Sequence, residues 1–116
     1  MNSVVLMGRL TKDPELKQSG DTAVARYTLA VERRKRDETD FPQIVAFGKS
    51  ADFAGKYFRK GMKVCISGRI QTGSYEKDGV KIYTTNVVAE NQEFCEPKRE
   101  DFEAIPEEVD IDKLFA

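Results

Sequence analysis

The pattern of hydrophobic and polar residues predicts β-strands along the first half of the chain. Runs of strand-forming residues cover residues 3–10, 22–32 and 41–48, and hydrophobic and polar residues alternate clearly in the second. In the second run Ala25, Tyr27 and Leu29 share one face, and mostly polar residues occupy the other, so we expect a long half-buried strand. Pro42 lacks a backbone N–H group, which confines the third run to a strand start or an edge.

After residue 48 the hydrophobic period changes to that of a short helix. The apolar residues with this three-to-four spacing are Ala51, Ala54, Tyr57 and Phe58. Ser50 is expected to cap the N-terminus of the helix, and Gly61 is expected to end it. Gly55 lowers the intrinsic stability of the helix, so packing against the rest of the protein is needed to hold it.

Two further strands are predicted after the helix, over residues 63–70 and 80–89. The inward-facing residues of the first are expected to be Val64, Ile66, Gly68 and Ile70. Between these strands, Asp78-Gly79 supplies the positive φ angles that a two-residue type I′ turn needs. The arms of this hairpin are polar on both faces except for Tyr75 and Tyr83, so we expect the hairpin to project from the body.

The order of elements is therefore three strands, one helix and two strands. This is the order of an OB-fold, an all-β, five-stranded Greek-key barrel with a helix between the third and fourth strands. Residues 90–116 show no sustained hydrophobic period. We interpret the chain as one OB-fold domain over residues 1–95, followed by a short, flexible acidic tail over residues 96–116.

Composition excludes several classes of function. The 116 residues contain no apolar run long enough to cross a membrane, and the N-terminus lacks a signal-peptide pattern, so we expect a cytoplasmic protein. Histidine is absent and the only two cysteines, Cys65 and Cys95, stand thirty positions apart, which removes histidine-based catalysis and zinc sites with CxxC or HExxH spacing. Both cysteines are expected to be free thiols rather than a disulfide. An enzyme remains possible only through carboxylates, lysine or tyrosine; since no paired acids stand at a recognisable site, we expect no enzymatic activity, and no metal or cofactor.

The charge is divided along the chain. Residues 1–99 hold 18 Lys and Arg against 13 Asp and Glu, whereas residues 100–116 hold seven acidic residues and only Lys113 as a base. A basic body with an acidic tail points to a polyanionic partner. The alternative is a solvated surface with a disordered end, and charge alone does not separate the two.

Aromatic residues on polar faces are the first candidate functional groups. Phe41 and Phe47 lie on the face of the third strand opposite Ile44, and Tyr75 lies in the projecting hairpin. Lys and Arg surround them in the sequence, as in proteins that stack bases on rings at about 1–3 kcal/mol per base and bind phosphates with cations. The alternative is a purely structural role, in which Phe47 belongs to the core and the basic run at 33–36 is a solvated loop.

Several motifs resemble bacterial and phage single-stranded-DNA-binding proteins. The opening residues 1–16, MNSVVLMGRLTKDPEL, are closely similar to the start of that family. Further matches in the same order are YTLAV at 27–31, ETDF at 38–41, YFRKG at 57–61 and TTNVVA at 84–89. The resemblance covers about residues 1–95. It implies an OB-fold subunit of a homotetramer that binds and protects single-stranded DNA without sequence preference during replication, recombination and repair.

The resemblance also implies roles for individual residues. The stacking aromatics of the family correspond to Phe41, Phe47 and Tyr75. Its phosphate-contacting basic positions correspond to Lys49, Arg59 and Lys60, with Arg34 and Lys35 as a looser match. Gln43 and Gly73 stand where many relatives have arginine, which removes two possible phosphate contacts.

The family commonly ends in an acidic tip that docks into replication and repair proteins. The corresponding tail residues here are Asp110, Asp112, Leu114 and Phe115, although Lys113 interrupts the acidic run and Ala116 follows the aromatic residue. The tail could instead fold back on the basic groove and compete with DNA.

Two further points stay open from the sequence. Val5 and Met7, apolar on the outer face of the first strand, are candidates for the subunit interface, unless that strand is buried on both sides within one subunit. The alternative function is an OB-fold protein-interaction subunit of a replication or primosome complex, in which DNA binding is incidental.

Overall fold

The structure is a computed structural model, which describes residues 1–34 and 38–95. Within these residues it contains seven strands and one helix. They are β1 (Val4–Leu10), β2 (Glu15–Ser19), β3 (Thr22–Glu32), β4 (Thr39–Asp40), β5 (Gln43–Phe47), α1 (Lys49–Tyr57), β6 (Lys63–Lys77) and β7 (Val80–Phe94).

Five of the strands close into a barrel in the order β1-β6-β7-β5-β3, and β3 returns to β1. The first strand pairs antiparallel with β6 over residues 4–9 and with β3 at Arg9 and Leu10. The only parallel pairing recorded in the described residues joins β5 to β7 at Ile44–Val87 and Val45–Val88. With α1 between β5 and β6, this architecture confirms the predicted OB-fold.

Two glycines allow the strands to approach closely enough for closure. A Cβ atom at Gly8 would lie 2.5 Å from the backbone oxygen of Ala30 on β3. A Cβ atom at Gly68 would overlap the backbone oxygen of Val88 on β7, beside an irregularity in the β6–β7 register at Ser67 and Gly68. Both neighbours are backbone atoms, which cannot rotate away, so these positions require glycine.

The barrel interior is apolar, and α1 covers one end of it. Leu29, Ile44 and Phe58 are fully buried, and Ala51 and Ala54 turn the buried face of the helix toward them. The Tyr27 hydroxyl donates a 2.7 Å hydrogen bond to Oε1 of Gln92, whose Nε2 donates to the Ser50 carbonyl at 2.9 Å. This bridge ties the helix to the barrel through partly buried polar groups, and burial raises the pKa of Tyr27.

Two local expectations were wrong. Ser50 does not cap the helix, because α1 already begins at Lys49, with Gly48 at the N-cap and no side-chain cap. Gly61 does not end the helix, since the chain is already extended at Phe58 and Gly61 instead turns into β6 with a φ of 87°.

The inward face of β6 is shorter than expected. Val64, Ile66 and Gly68 are buried, but Ile70 is exposed because β6 leaves the barrel there. Beyond this point the two arms continue as the projecting hairpin that the sequence predicted, with residues 71–81 all exposed. Its Asp78 and Gly79 have φ values of 53° and 78°, which confirms the predicted turn.

Two smaller expectations concern the thiols and the membrane. Cys65 and Cys95 both carry free thiols, as expected. Within the described part of the chain, no helix has the length and apolarity needed to cross a membrane.

Substitution of the barrel glycines tests the closure. Gly68→Ala should lower the free energy of unfolding by about 1–3 kcal/mol or more, because its Cβ would push the paired backbones of β6 and β7 apart. Gly73→Ala on the same strand is the matched control, since its Cβ would meet only the Thr84 hydroxyl oxygen at 3.3 Å. Chemical denaturation measures both variants, and equal stabilities would contradict this account of closure.

Candidate nucleic-acid interface

The outer face of β5 presents a row of side chains next to β3. Ile44 and Ala46 point into the core, so Gln43, Val45 and Phe47 point outward. In the antiparallel register Gln43 lies opposite Thr28, Val45 opposite Arg26, and Phe47 opposite Val24. The strand alternation thus places Phe47 on an outer surface rather than in the core, with 44% of its area exposed.

Phe41 stands between β4 and β5, next to residues that form two ion pairs. Nη2 of Arg33 lies 2.8 Å from Oδ1 of Asp40, and Nη1 lies 2.7 Å from Oε2 of Glu38. The Arg33 guanidinium lowers the pKa of the Asp40 carboxyl, chiefly by hydrogen bonding, so this carboxylate stays ionised at neutral pH. Directly before Phe41, Thr39 and Asp40 pair with β3, and the Phe41 ring itself is 63% exposed.

Tyr75 lies on the hairpin arm of β6 and is 53% exposed. Tyr75 borders a concave surface that encloses a volume of about 360 Å³, and Phe41 borders another that encloses about 590 Å³. Both surfaces are lined by Glu15, Arg26 and Gln43, so they are continuous. We call this combined surface the groove. Phe41 lies at one end of it and Tyr75 at the other.

An ion pair occupies the shared part of the groove. Nη2 of Arg26 lies 2.6 Å from Oε2 of Glu15, and Nζ of Lys17 lies 3.7 Å from the other carboxylate oxygen. The hydrogen bond and charge of Arg26 lower the pKa of the Glu15 carboxyl. Lys12 lines the Phe41 end of the groove and Lys17 the Tyr75 end.

The remaining sequence-predicted basic residues are more dispersed. Lys49 is exposed at the first position of α1. The backbone N–H of Lys60 donates a 2.8 Å hydrogen bond to Oδ1 of Asp13. Because Asp13 lines the groove, Lys60 lies at the edge of the groove. Arg34 lines a separate concavity of about 450 Å³, together with Lys63 and other residues.

Arg59 has a structural contact in the described residues. Its guanidinium donates to the carbonyl oxygens of Gly55 at 2.8 Å and Phe58 at 2.6 Å, at the C-terminal end of α1. A cation is favourable there because the carbonyl groups at the end of a helix carry partial negative charge.

Some expectations fall outside the described residues. These are Lys35, the tail residues Asp110, Asp112, Leu114 and Phe115, and the proposed flexibility of residues 96–116. Within the described ranges, no three His, Cys, Asp or Glu side chains gather in a way that could hold a metal ion.

Comparison with known proteins identifies the family. Residues 1–95 match the family model described as "Single-strand binding protein family". The chain belongs to this family. The match spans the whole barrel, including the groove and the hairpin that carries Tyr75.

Curated relatives agree with this assignment. A protein named single-stranded DNA-binding protein from Clostridium perfringens is 53% identical over 100 residues, covering 83% of this chain and 67% of the relative. One of the same name from Fusobacterium nucleatum is 50% identical over 107 residues, covering 84% and 69%. A Staphylococcus aureus protein of that name is 45% identical over 109 residues, covering 87% and 69%.

Two contacts in this family member were not predicted from the sequence: the place of Arg26 in the groove and the contact of Tyr83 with Lys81. Arg26 is central to the groove only because β2 pairs with β3 beside it, and the polar run at Glu15–Ser19 gave no strand signal. Tyr83 is exposed on the opposite face of the hairpin from Tyr75, with Nζ of Lys81 at 5.4 Å from its ring centroid. Its exposure in a polar arm was visible in the sequence, but its pairing with Lys81 was not.

Proposed function

We propose that this chain binds single-stranded DNA without sequence preference and protects it during replication, recombination and repair. The carrying observation is the groove, with exposed rings at its two ends and cations along its length. A planar base is apolar on both faces, so it can cover an exposed ring. The relatives' names refer to DNA binding, and none refers to a protein-interaction subunit.

The proposed mechanism combines stacking with charge neutralisation. Bases stack on Phe41, Phe47 and Tyr75, and every base has a π-face, so stacking is tolerant of sequence. Lys and Arg contact the phosphates and release condensed counterions, which makes binding salt-dependent. Duplex DNA keeps its base faces stacked on one another, so the rings of the groove cannot reach them.

Basic residues outside the groove extend the proposed path of the strand. Lys49 and Lys60 are exposed and accessible for phosphate contacts. We propose a phosphate contact for Lys35 from the family resemblance alone. Arg34 would bind the strand in its separate concavity. Arg59 would contact a phosphate while its guanidinium also serves the end of α1.

We propose further that the subunit forms a homotetramer. Val5 and Met7 are 70% and 53% exposed on the outer face of β1, where they lie beside Ser67 and Cys65 of β6. Two large apolar side chains on the open face of a strand are suited to burial against another subunit. For the acidic tail we propose docking to replication and repair proteins through Asp110, Asp112, Leu114 and Phe115.

Binding of labelled oligothymidine and a matched duplex, measured by fluorescence anisotropy at two salt concentrations, tests the proposed function. We expect tight binding to the single strand, weak binding to the duplex, and loss of affinity at high salt. Phe41→Ala and Tyr75→Ala should each weaken binding by about 1–3 kcal/mol per stacked base, with little change in melting temperature because both rings are exposed.

Phe58→Ala is the contrasting variant, since this ring is fully buried and its removal should cost about 3–5 kcal/mol of stability. Equal, weak binding of single strand and duplex by the wild-type protein would refute the proposed function. A large loss of stability in Phe41→Ala or Tyr75→Ala would show instead that those rings are structural.

Charge on the outer face of β1 tests the proposed interface. Val5→Glu and Met7→Glu should shift the sedimentation of the protein from tetramer to smaller species, because burying a carboxylate at an interface is unfavourable. Val80→Glu is the matched control, since Val80 is similarly exposed but lies on the hairpin. A wild-type protein that sediments as a monomer, or variants that sediment as the wild type does, would exclude this interface.

Deletion of residues 100–116 separates DNA binding, which should survive the deletion, from the alternative of a protein-interaction subunit, in which the main partner would be lost. The deletion removes seven acidic residues and one lysine, so affinity for oligothymidine should hold or rise. A variant with the tail sequence scrambled keeps the charge and should bind DNA as the wild type does. Loss of DNA affinity on deletion would contradict the division between a DNA-binding body and a docking tail.

A further inference from the structure

The centre of the groove carries an arginine that is already paired with a carboxylate. We infer that Arg26 binds the backbone of the DNA strand between the two ring sites, and that Glu15 occupies Arg26 in the free protein until a phosphate replaces it. This inference rests on the proposed function, because it assigns two residues of the same groove. Glu15 would then limit affinity, and Arg26 would be a contact residue.

The sheet register places this pair in the path of the strand. Arg26 lies between Glu15 of β2 and Val45 of β5 in the two antiparallel pairings, on the same outer face as Phe47. Arg26 lines both the concave surface that Phe41 borders and the one that Tyr75 borders. A strand that stacks on rings at both ends of the groove must pass over it.

The cations of the groove are spaced along it. Lys12 lines only the Phe41 end and Lys17 only the Tyr75 end, whereas Arg26 lines both concave surfaces. Its neighbour in the shared part, Gln43, is neutral. Arg26 is therefore the described cation that can neutralise a phosphate midway between the rings.

The contact with Glu15 resembles the contact that a phosphate would make. Carboxylate and phosphate oxygens both accept charge-assisted hydrogen bonds from a guanidinium, so the exchange preserves the bonding of Arg26. The pair is half-exposed, and an exposed ion pair adds little to stability, so its separation is easy. Lys17, at 3.7 Å, gives the displaced carboxylate another partner.

A purely structural pair, which only fastens β2 to β3, would behave differently. Removal of either partner would then affect stability similarly and leave DNA binding unchanged. In the exchange described here the two substitutions act on DNA affinity in opposite directions. The sign of the effect on affinity therefore separates the two roles.

The experiment measures binding of oligothymidine to the full chain across a salt series. Arg26→Gln should weaken binding and reduce the salt slope by about 0.7, the value for one phosphate contact on a single strand. Glu15→Gln should tighten binding by about two- to fivefold, most at low salt. In the Arg26→Gln background, Glu15→Gln should have no such effect, because its action passes through Arg26.

Matched controls remove the same charges elsewhere. Glu90→Gln and Lys56→Gln are suitable because both residues are exposed and neither lines the groove. Arg26→Lys keeps the positive charge, so it should keep most of the salt slope. This variant separates the loss of charge in Arg26→Gln from any unrelated loss of stability. Thermal melts of every variant accompany the binding curves.

The inference is overturned if Arg26→Gln binds as Lys56→Gln does, or if Glu15→Gln gains no more than Glu90→Gln. A gain from Glu15→Gln that persists without Arg26 also overturns it, since the effect would then be general electrostatics. If Phe41→Ala and Tyr75→Ala weaken binding while Arg26→Gln and Glu15→Gln leave it unchanged, only this inference fails. If the wild-type protein does not prefer single-stranded DNA, the proposed function fails with it.

Discussion

Closure of the barrel depends on β1 pairing with two strands at once, β6 along most of its length and β3 at its end. The ring of five strands closes where β1 meets β3, at Arg9–Ala30 and Leu10–Leu29. The closure needs backbones that approach more closely than a side chain permits, at Gly8 and at Gly68. The positions of β3, β5 and the hairpin relative to one another, and hence the groove, follow from it.

The filled interior also explains why the rings of the groove are outside. Leu29, Ile44 and Phe58 are buried in the barrel interior, whereas Phe41 lies between β4 and β5 and Tyr75 lies on the exposed hairpin. Exposed aromatic area is unfavourable in water unless a ligand covers it. Here the exposed rings border one continuous groove, where a flexible chain of planar bases can reach both.

Much of the barrel could be predicted from alternation and turn chemistry. The buried face of β3 and the Asp78-Gly79 turn followed directly, because burial imposes a period of two and positive φ favours these turn residues. The strand β2 was missed because all five of its residues are exposed and none marks a face. The N-cap was wrongly assigned to Ser50 because the start of the helix depends on where the preceding strand ends.

The candidate site divides in the same way. The exposed aromatics could be found because an aromatic residue on a polar face has no core to enter. The partnership of Arg26 with Glu15 could not, because it depends on the register of β2 against β3 across a turn that is not visible as periodicity. Cations near one another in sequence are easier to find, yet Arg33 and Arg34 lie away from the centre of the groove.

Rings and cations contribute to binding in ways that respond differently to conditions. Stacking removes apolar area from water and depends little on salt, whereas phosphate contacts weaken as salt competes for the strand. Arg26 lies next to the carboxylate of Glu15 in the free protein, and this carboxylate lowers the net positive charge of the groove. Under the proposed function a surface of this kind discriminates against duplex DNA, because bare charge would hold any polyanion but only an unpaired strand can also cover Phe41 and Tyr75. Selectivity for single strands would then come from the rings, and the cations would set how tightly the selected strand is held.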